Sequence, residues 1–357
     1  MKLPQLKIGN LIATIPIVQG GMGVGISLSS LAGSVSLNGG IGTISGVEIG
    51  FNEPGFSNDK SKANSKALKY HIHRAREICK DGVLGINIMT ALNNFEEVVL
   101  DAVKQKIDII FSGAGLPLKL PKFTKGTNTK IAPIVSSGRA AAIICKSWDK
   151  HYNVVPDAVV VEGPLAGGHL AFTAKELSDP SYRLMLLLKD VLEAIKPFEV
   201  KYKKKIPVIA AGGVYYGKDI AELLHAGASG VQLATRFVAT FECDASEHFK
   251  QAYIDAEVED VNIIESPLGM IGRAIRNKFL DDVEEGIKRP VKCAYHCLKP
   301  CNPSTTTYCI ADALINAQRG KMSNGFAFAG ANVHRIKKII SVKELMEQLV
   351  KEAEQYY

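Results

Sequence analysis

Short apolar runs rich in β-branched residues recur along the 357-residue chain, and each breaks off at Gly, Ser, Asn or Thr. They span 15–20, 41–46, 84–89, 107–113, 131–136, 158–163, 206–213 and 230–235. Runs that are apolar throughout, with no alternation, suit strands of a parallel sheet covered on both faces. Helix-length stretches lie between most of them. Leu68, Ile72, Ala75 and Cys79 recur at helical spacing, with Gly82 as a stop. Asn93 and Glu96 have the spacing of a capping box ahead of Val99, Ala102 and Val103. Ile220, Leu223 and Leu224 make a further helical face ended by Gly227, and Val342, Leu345, Met346, Leu349 and Val350 form a stripe near the C-terminus. Eight strands with intervening helices predict an α/β protein, a (β/α)8 TIM barrel.

Two segments interrupt this rhythm. Residues 48–66 are polar and read as a loop. About eighty residues, from Thr240 to Gly320, separate the eighth strand from the last helix. A structureless loop of that length is uncommon, so 241–320 is expected to form a small helical subdomain over the barrel mouth, with 1–240 and 321–357 as the barrel.

Composition narrows the function classes. Lys and Arg total 43 against 36 Asp and Glu, a net charge of +7. The charge is dispersed apart from Lys201 and Lys203 to Lys205, read as a solvated loop, and no basic helix with interleaved aromatics argues for nucleic acid. No apolar stretch reaches membrane length, and Met1 to Asn10 has no apolar core of the secretory kind; a cytoplasmic protein is expected. Four of seven cysteines crowd one segment, Cys293, Cys297, Cys301 and Cys309, spaced C-x3-C-x3-C-x7-C. Four thiolates can hold zinc or an iron–sulfur cluster, but the spacing fits no common zinc pattern. Four reduced thiols explain it equally, so no metal is assigned.

In a barrel of this kind the C-terminal strand ends build the active site. Here they carry glycine repeatedly: Gly20, Gly21 and Gly23 after the first strand, Gly163, Gly167 and Gly168 after the sixth, Gly212 and Gly213 after the seventh. Glycine lets backbone N–H groups approach a ligand closely, and the loops after strands seven and eight commonly hold a phosphate. Gly212, Gly213, Ala234 and Thr235 occupy those loops. Gln19, Asn87 and Glu162 are expected on the same rim, with side chains suited to the edge of a flavin or a ribityl chain. His169, following Ala166-Gly167-Gly168, is the candidate acid–base group.

The stretches Pro16-Ile17-Val18-Gln19-Gly20-Gly21-Met22-Gly23, Glu162-Gly163-Pro164-Leu165-Ala166-Gly167-Gly168-His169, Ala210-Ala211-Gly212-Gly213-Val214 and Gln232-Leu233-Ala234-Thr235-Arg236-Phe237 resemble the nitronate monooxygenase (2-nitropropane dioxygenase) family, related to FMN-dependent enoyl-acyl carrier protein reductases. The resemblance covers Ile15 to about Asp244 and extends to the terminal helix. It implies bound FMN. Gly21, Met22, Gly23 and Asn87 would lie near the flavin and Glu162, Gly167 and Gly168 beside it. Gly212, Gly213, Gln232, Leu233, Ala234 and Thr235 would surround the phosphate. His169 would be catalytic, as an imidazolium holding an anionic nitronate. Ala234 replaces a glycine of many members but keeps its N–H. The cysteine segment has no counterpart in the best-known members. The expected partners are a nitronate with O2 or, alternatively, an enoyl thioester with NAD(P)H. A non-enzymatic flavin- or metal-binding regulator is the remaining alternative. The sequence leaves the oligomeric state open.

Overall fold

The computed structural model describes the whole chain except residues 288–290, 292 and 294. Eight parallel strands form one sheet: β1 (Ile17–Gln19), β2 (Gly42–Ser45), β3 (Leu84–Met89), β4 (Ile109–Gly113), β5 (Lys130–Val135), β6 (Val159–Glu162), β7 (Val208–Ala211) and β8 (Gly230–Leu233). Neighbours pair in chain order from β2 to β8, and β8 then pairs with β1. Backbone bonds from Gln19 N–H to Ile41 O (2.8 Å) and from Ile41 N–H to Ile17 O (2.9 Å) join β1 to the entry of β2. The barrel fold is as expected, with strand ends trimmed by one or two residues.

Successive strand residues face opposite sides, and each side has its own core. On β6, Val160 packs inside the barrel with Phe111, Ala132 and Ile209, whereas Val159 and Val161 join the cluster between strands and helices. An N-terminal hairpin, Leu6–Ile8 with Leu11–Ala13, inserts Leu6 and Ile8 into the inner cluster. The sequence reading missed it because each strand is three residues long.

The main helices bury the stripes expected of them. In Lys60–Cys79, Leu68, Ile72, Ala75 and Cys79 are all buried, and in Val342–Tyr356 so are Val342, Leu345, Met346 and Leu349. Three local expectations change. Helix Lys60–Cys79 starts inside the supposed 48–66 loop because Asp59 caps it, accepting from Lys62 N–H. Lys80, at φ +53, takes the left-handed position after this helix that was assigned to Gly82. The Asn93–Glu96 capping box does not form: Asn94 is the cap of Phe95–Lys104, and Asn93 Nδ2 donates to His296 O at 2.7 Å. A distant backbone segment has claimed that amide. Lys201 closes helix Leu184–Tyr202, and Lys201 and Lys204 pair with Asp149 and Asp157, so this basic run is only partly a loop.

After β8 come helices Glu247–Asp255, Lys278–Glu284 and Ile310–Gln318, and between the first two an antiparallel hairpin, Val261–Glu265 with Ile271–Ile275. The second hairpin strand pairs with Gly168–His169. Phe249, Phe279 and Ile310 from this segment share one buried cluster with Leu233 and Phe237 of the barrel. Among the described residues no helix is long and apolar enough to cross a membrane.

Candidate active site

A cavity of about 300 Å³ opens over the C-terminal strand ends. Of the residues expected to hold the cofactor or to act as acid or base, all but Gln19 line it. Gly21, Met22 and Gly23 follow β1, Asn87 lies on β3 and Glu162 ends β6. Gly167, Gly168 and His169 follow β6, Gly212 and Gly213 follow β7, and Gln232, Leu233, Ala234 and Thr235 close β8. Gln19 does not line it. It is fully buried, with Oε1 accepting from Thr43 N–H at 2.9 Å and Nε2 donating to Gly20 O, so it ties β1 to β2.

The turn after β7 requires glycine. Gly212 and Gly213 lie at φ +94 and +91, a region costly for residues with a Cβ. A Cβ on Gly212 would also stand 2.7 Å from Gly163 O. Among the described residues, the N–H groups of Gly212, Gly213, Ala234 and Thr235 bond to no other backbone group. Thr235 Oγ1 accepts from Gly330 N–H at 3.0 Å, which leaves the hydroxyl proton to donate. Asn332 Nδ2 donates to Gly213 O at 2.7 Å, bracing the same turn. Unpaired donors gathered around positive-φ glycines form a cradle of the kind that takes a phosphate. With the amides of Asn87 and Gln232 on the same wall, the residues present fit a mononucleotide such as FMN.

Burial shifts two titratable groups at the mouth of β6 in opposite directions. It raises Glu162 to about 7 and lowers His169 to about 4, each against its charged form. Burial thus favours the neutral imidazole of His169 over the expected imidazolium. Its Nε2 lies 2.7 Å from Ser266 Oγ, and its ring packs on Phe328 at 5.0 Å between centroids. Arg273 is 7% exposed and donates to Pro164 O and Ala166 O at 2.7 and 2.6 Å, bracing the loop that carries His169.

Sequence reasoning missed Ser266, Arg273, Phe328, Gly330 and Asn332. The last two did carry a signal: an apolar run at 326–329 breaks off into Gly330 and Asn332, as at the barrel strand ends. Ser266 and Arg273 carried none, since only long-range pairing brings them to His169. Cys293, Cys297, Cys301, Cys309 and His296 line a separate cavity of about 120 Å³. Among the described residues no three His, Cys, Asp or Glu side chains gather to hold a metal ion. Residue 294, within the expected motif, lies outside the described residues.

The family model for nitronate monooxygenase matches residues 55–352. The chain belongs to the nitronate monooxygenase family. A probable nitronate monooxygenase of Staphylococcus aureus is 25% identical over 294 residues, 76% of this chain and 78% of the relative. A Rhodococcus jostii dehydrogenase named for a hydroxy-methyl-oxo-octahydroindene carboxyl-CoA is 24% identical, over 75% of this chain. The match spans 65% of that dehydrogenase's length. Among solved structures, FabK from Thermotoga maritima superposes with a TM-score of 0.73 at 26% identity, covering 96% of this chain and 93% of that one. A nitroalkane oxidase from Streptomyces ansochromogenes gives 0.72 at 20% identity, with 96% of each chain covered, and shares the fold. Membership of the nitronate monooxygenase family and these enzyme relatives make the chain an oxidoreductase.

Proposed function

We propose that the chain is an FMN-dependent nitronate monooxygenase that oxidises alkyl nitronates with O2. The observation that carries this reading is the meeting, in one cavity, of a half-buried His169 with the donor cradle at Gly212, Gly213, Ala234 and Thr235. FMN, when bound, supplies the redox chemistry and the reaction with oxygen. The cradle would hold its phosphate; Met22, Asn87, Glu162 and Gln232 would meet the ring and ribityl chain. His169 would take the α-proton from the carbon of a neutral nitroalkane, leaving the nitronate. With a nitronate supplied ready-made, it would only hydrogen-bond and orient it.

A second reading is NAD(P)H- and FMN-dependent reduction of an enoyl thioester. It is favoured by the likeness to FabK and to a dehydrogenase named for a carboxyl-CoA. Both readings share the cofactor, so its identity is the first test. Heat-released cofactor should have the mass of FMN, and the holoprotein should consume O2 with an alkyl nitronate. FAD, or no flavin after reconstitution, would overturn the proposal.

A further inference from the structure

His169 is held at both backbone and ring by the hairpin inserted after β8. Gly272 pairs with His169 in the antiparallel register, and Leu170 N–H donates to Ile271 O at 2.9 Å. The turn between the hairpin strands supplies Ser266, which is 6% exposed and lies 2.7 Å from the ring through Oγ. That turn is itself fixed: Ser266 N–H donates to Met270 O at 2.8 Å, Gly269 N–H to Ser266 O at 2.9 Å and Leu268 N–H to Ser266 Oγ at 3.3 Å. Phe328 packs against the imidazole. A ring flip would therefore break a short hydrogen bond inside a packed site.

We propose that Ser266 is a positioning residue that accepts a hydrogen bond from His169 Nε2–H, fixing the tautomer and turning Nδ1 to the substrate as the proton acceptor. This rests on the reading of His169 as the base. The chemistry favours acceptance over donation. A base whose Nδ1 takes a proton must carry its other proton on Nε2, and that N–H then needs an acceptor. Ser266 Oγ has two lone pairs, of which Leu268 N–H uses one. The proton moves from the substrate α-carbon to Nδ1, while Nε2–H keeps its bond to Oγ throughout. Burial already disfavours the charged ring, so losing this acceptor leaves it a weaker base. Among the described residues, the other ionisable groups on the cavity wall are Glu48, Glu162, Tyr215, Tyr253 and Cys297. Arg273, on the strand paired with Gly168–His169, turns its guanidinium to Pro164 and Ala166.

The direct test is the 15N NMR of the His169 ring across pH, assigned with His169→Asn, in wild type, Ser266→Ala and Ser266→Thr. Wild type and Ser266→Thr should show the Nε2–H tautomer, and Ser266→Ala a mixture with a lower titration midpoint. In turnover, Ser266→Ala should lose on the order of 10- to 100-fold on a neutral nitroalkane, with its acid limb moved to lower pH, and much less on a preformed nitronate. Ser266→Thr should restore both. An Nδ1–H tautomer in wild type, or an unchanged tautomer and acid limb in Ser266→Ala, overturns the inference. If Ser266→Ala instead loses melting midpoint and flavin together while the ring keeps its tautomer, Ser266 only braces the turn, and the inference also fails. Failure of the underlying reading looks different: His169→Asn itself would then leave nitroalkane turnover unchanged.

Discussion

Replacing Arg273 should produce an order of stability that side-chain similarity does not suggest. Its guanidinium is buried, with no ion-pair partner among the described residues, and makes two short bonds to Pro164 O and Ala166 O. Hydrogen bonds to a charged group contribute about 1.5–3 kcal/mol each, so the pair contributes about 3–6 kcal/mol. Against this stands the cost of burying the charge, several kcal/mol for an ion held without a counter-charge. Arg273→Met loses both bonds but also removes the buried charge, so the net loss should be about 1–3 kcal/mol. Arg273→Lys keeps the charge, but both bonds come from Nη1, and a lysine ammonium ends one bond short of that position. It should therefore be at least as unstable as Arg273→Met. Urea midpoints measured on flavin-free protein give the ranking, and turnover of the reconstituted variants reports the His169 loop. A Lys variant with wild-type stability and turnover beside a damaged Met variant would refute this account of the buckle.

His169→Asn should retain flavin and melting midpoint while losing about 10²–10⁴ in turnover of a neutral nitroalkane; steady-state rates on nitroalkane and nitronate, with flavin content on the same preparations, check it. Glu162 is raised to about 7 by burial, so the folded state binds its proton more tightly than the unfolded chain. Flavin-free protein should thus lose stability, on the order of 3 kcal/mol, as pH rises from about 4.5 through about 7, and Glu162→Gln should flatten that decline in urea titrations. His169, lowered to about 4, acts with the opposite sign: its contribution is present above about pH 6.5 and is lost as pH falls toward 4, a limb that His169→Asn should remove.

The barrel was legible because its signals are local. A run such as Val159-Val160-Val161 is apolar on both faces, as a strand between two cores must be. The glycines after β7 mark backbone at positive φ next to a close neighbour, and that requirement belongs to the residue itself. The errors lie where a distant partner decides. Asn93 has the spacing of a helix cap, yet its amide goes to a carbonyl two hundred residues away. The strands Val261–Glu265 and Ile271–Ile275 are short apolar runs inside a segment read as helical, and what makes them a sheet at the site is pairing with Gly168–His169. Local pattern thus pointed to residues that line one cavity, and long-range pairing supplied the groups that hold His169 in place.

The most direct test of the central claim is anaerobic mixing of the holoprotein with an alkyl nitronate and, separately, with NADH and NADPH, following the flavin absorbance. Nitronate alone should bleach the flavin, added O2 should restore it, and His169→Asn should slow bleaching by the neutral nitroalkane far more than by the nitronate. Rapid bleaching by NADH or NADPH, reversed by an enoyl thioester, with no response to nitronate, would contradict that claim.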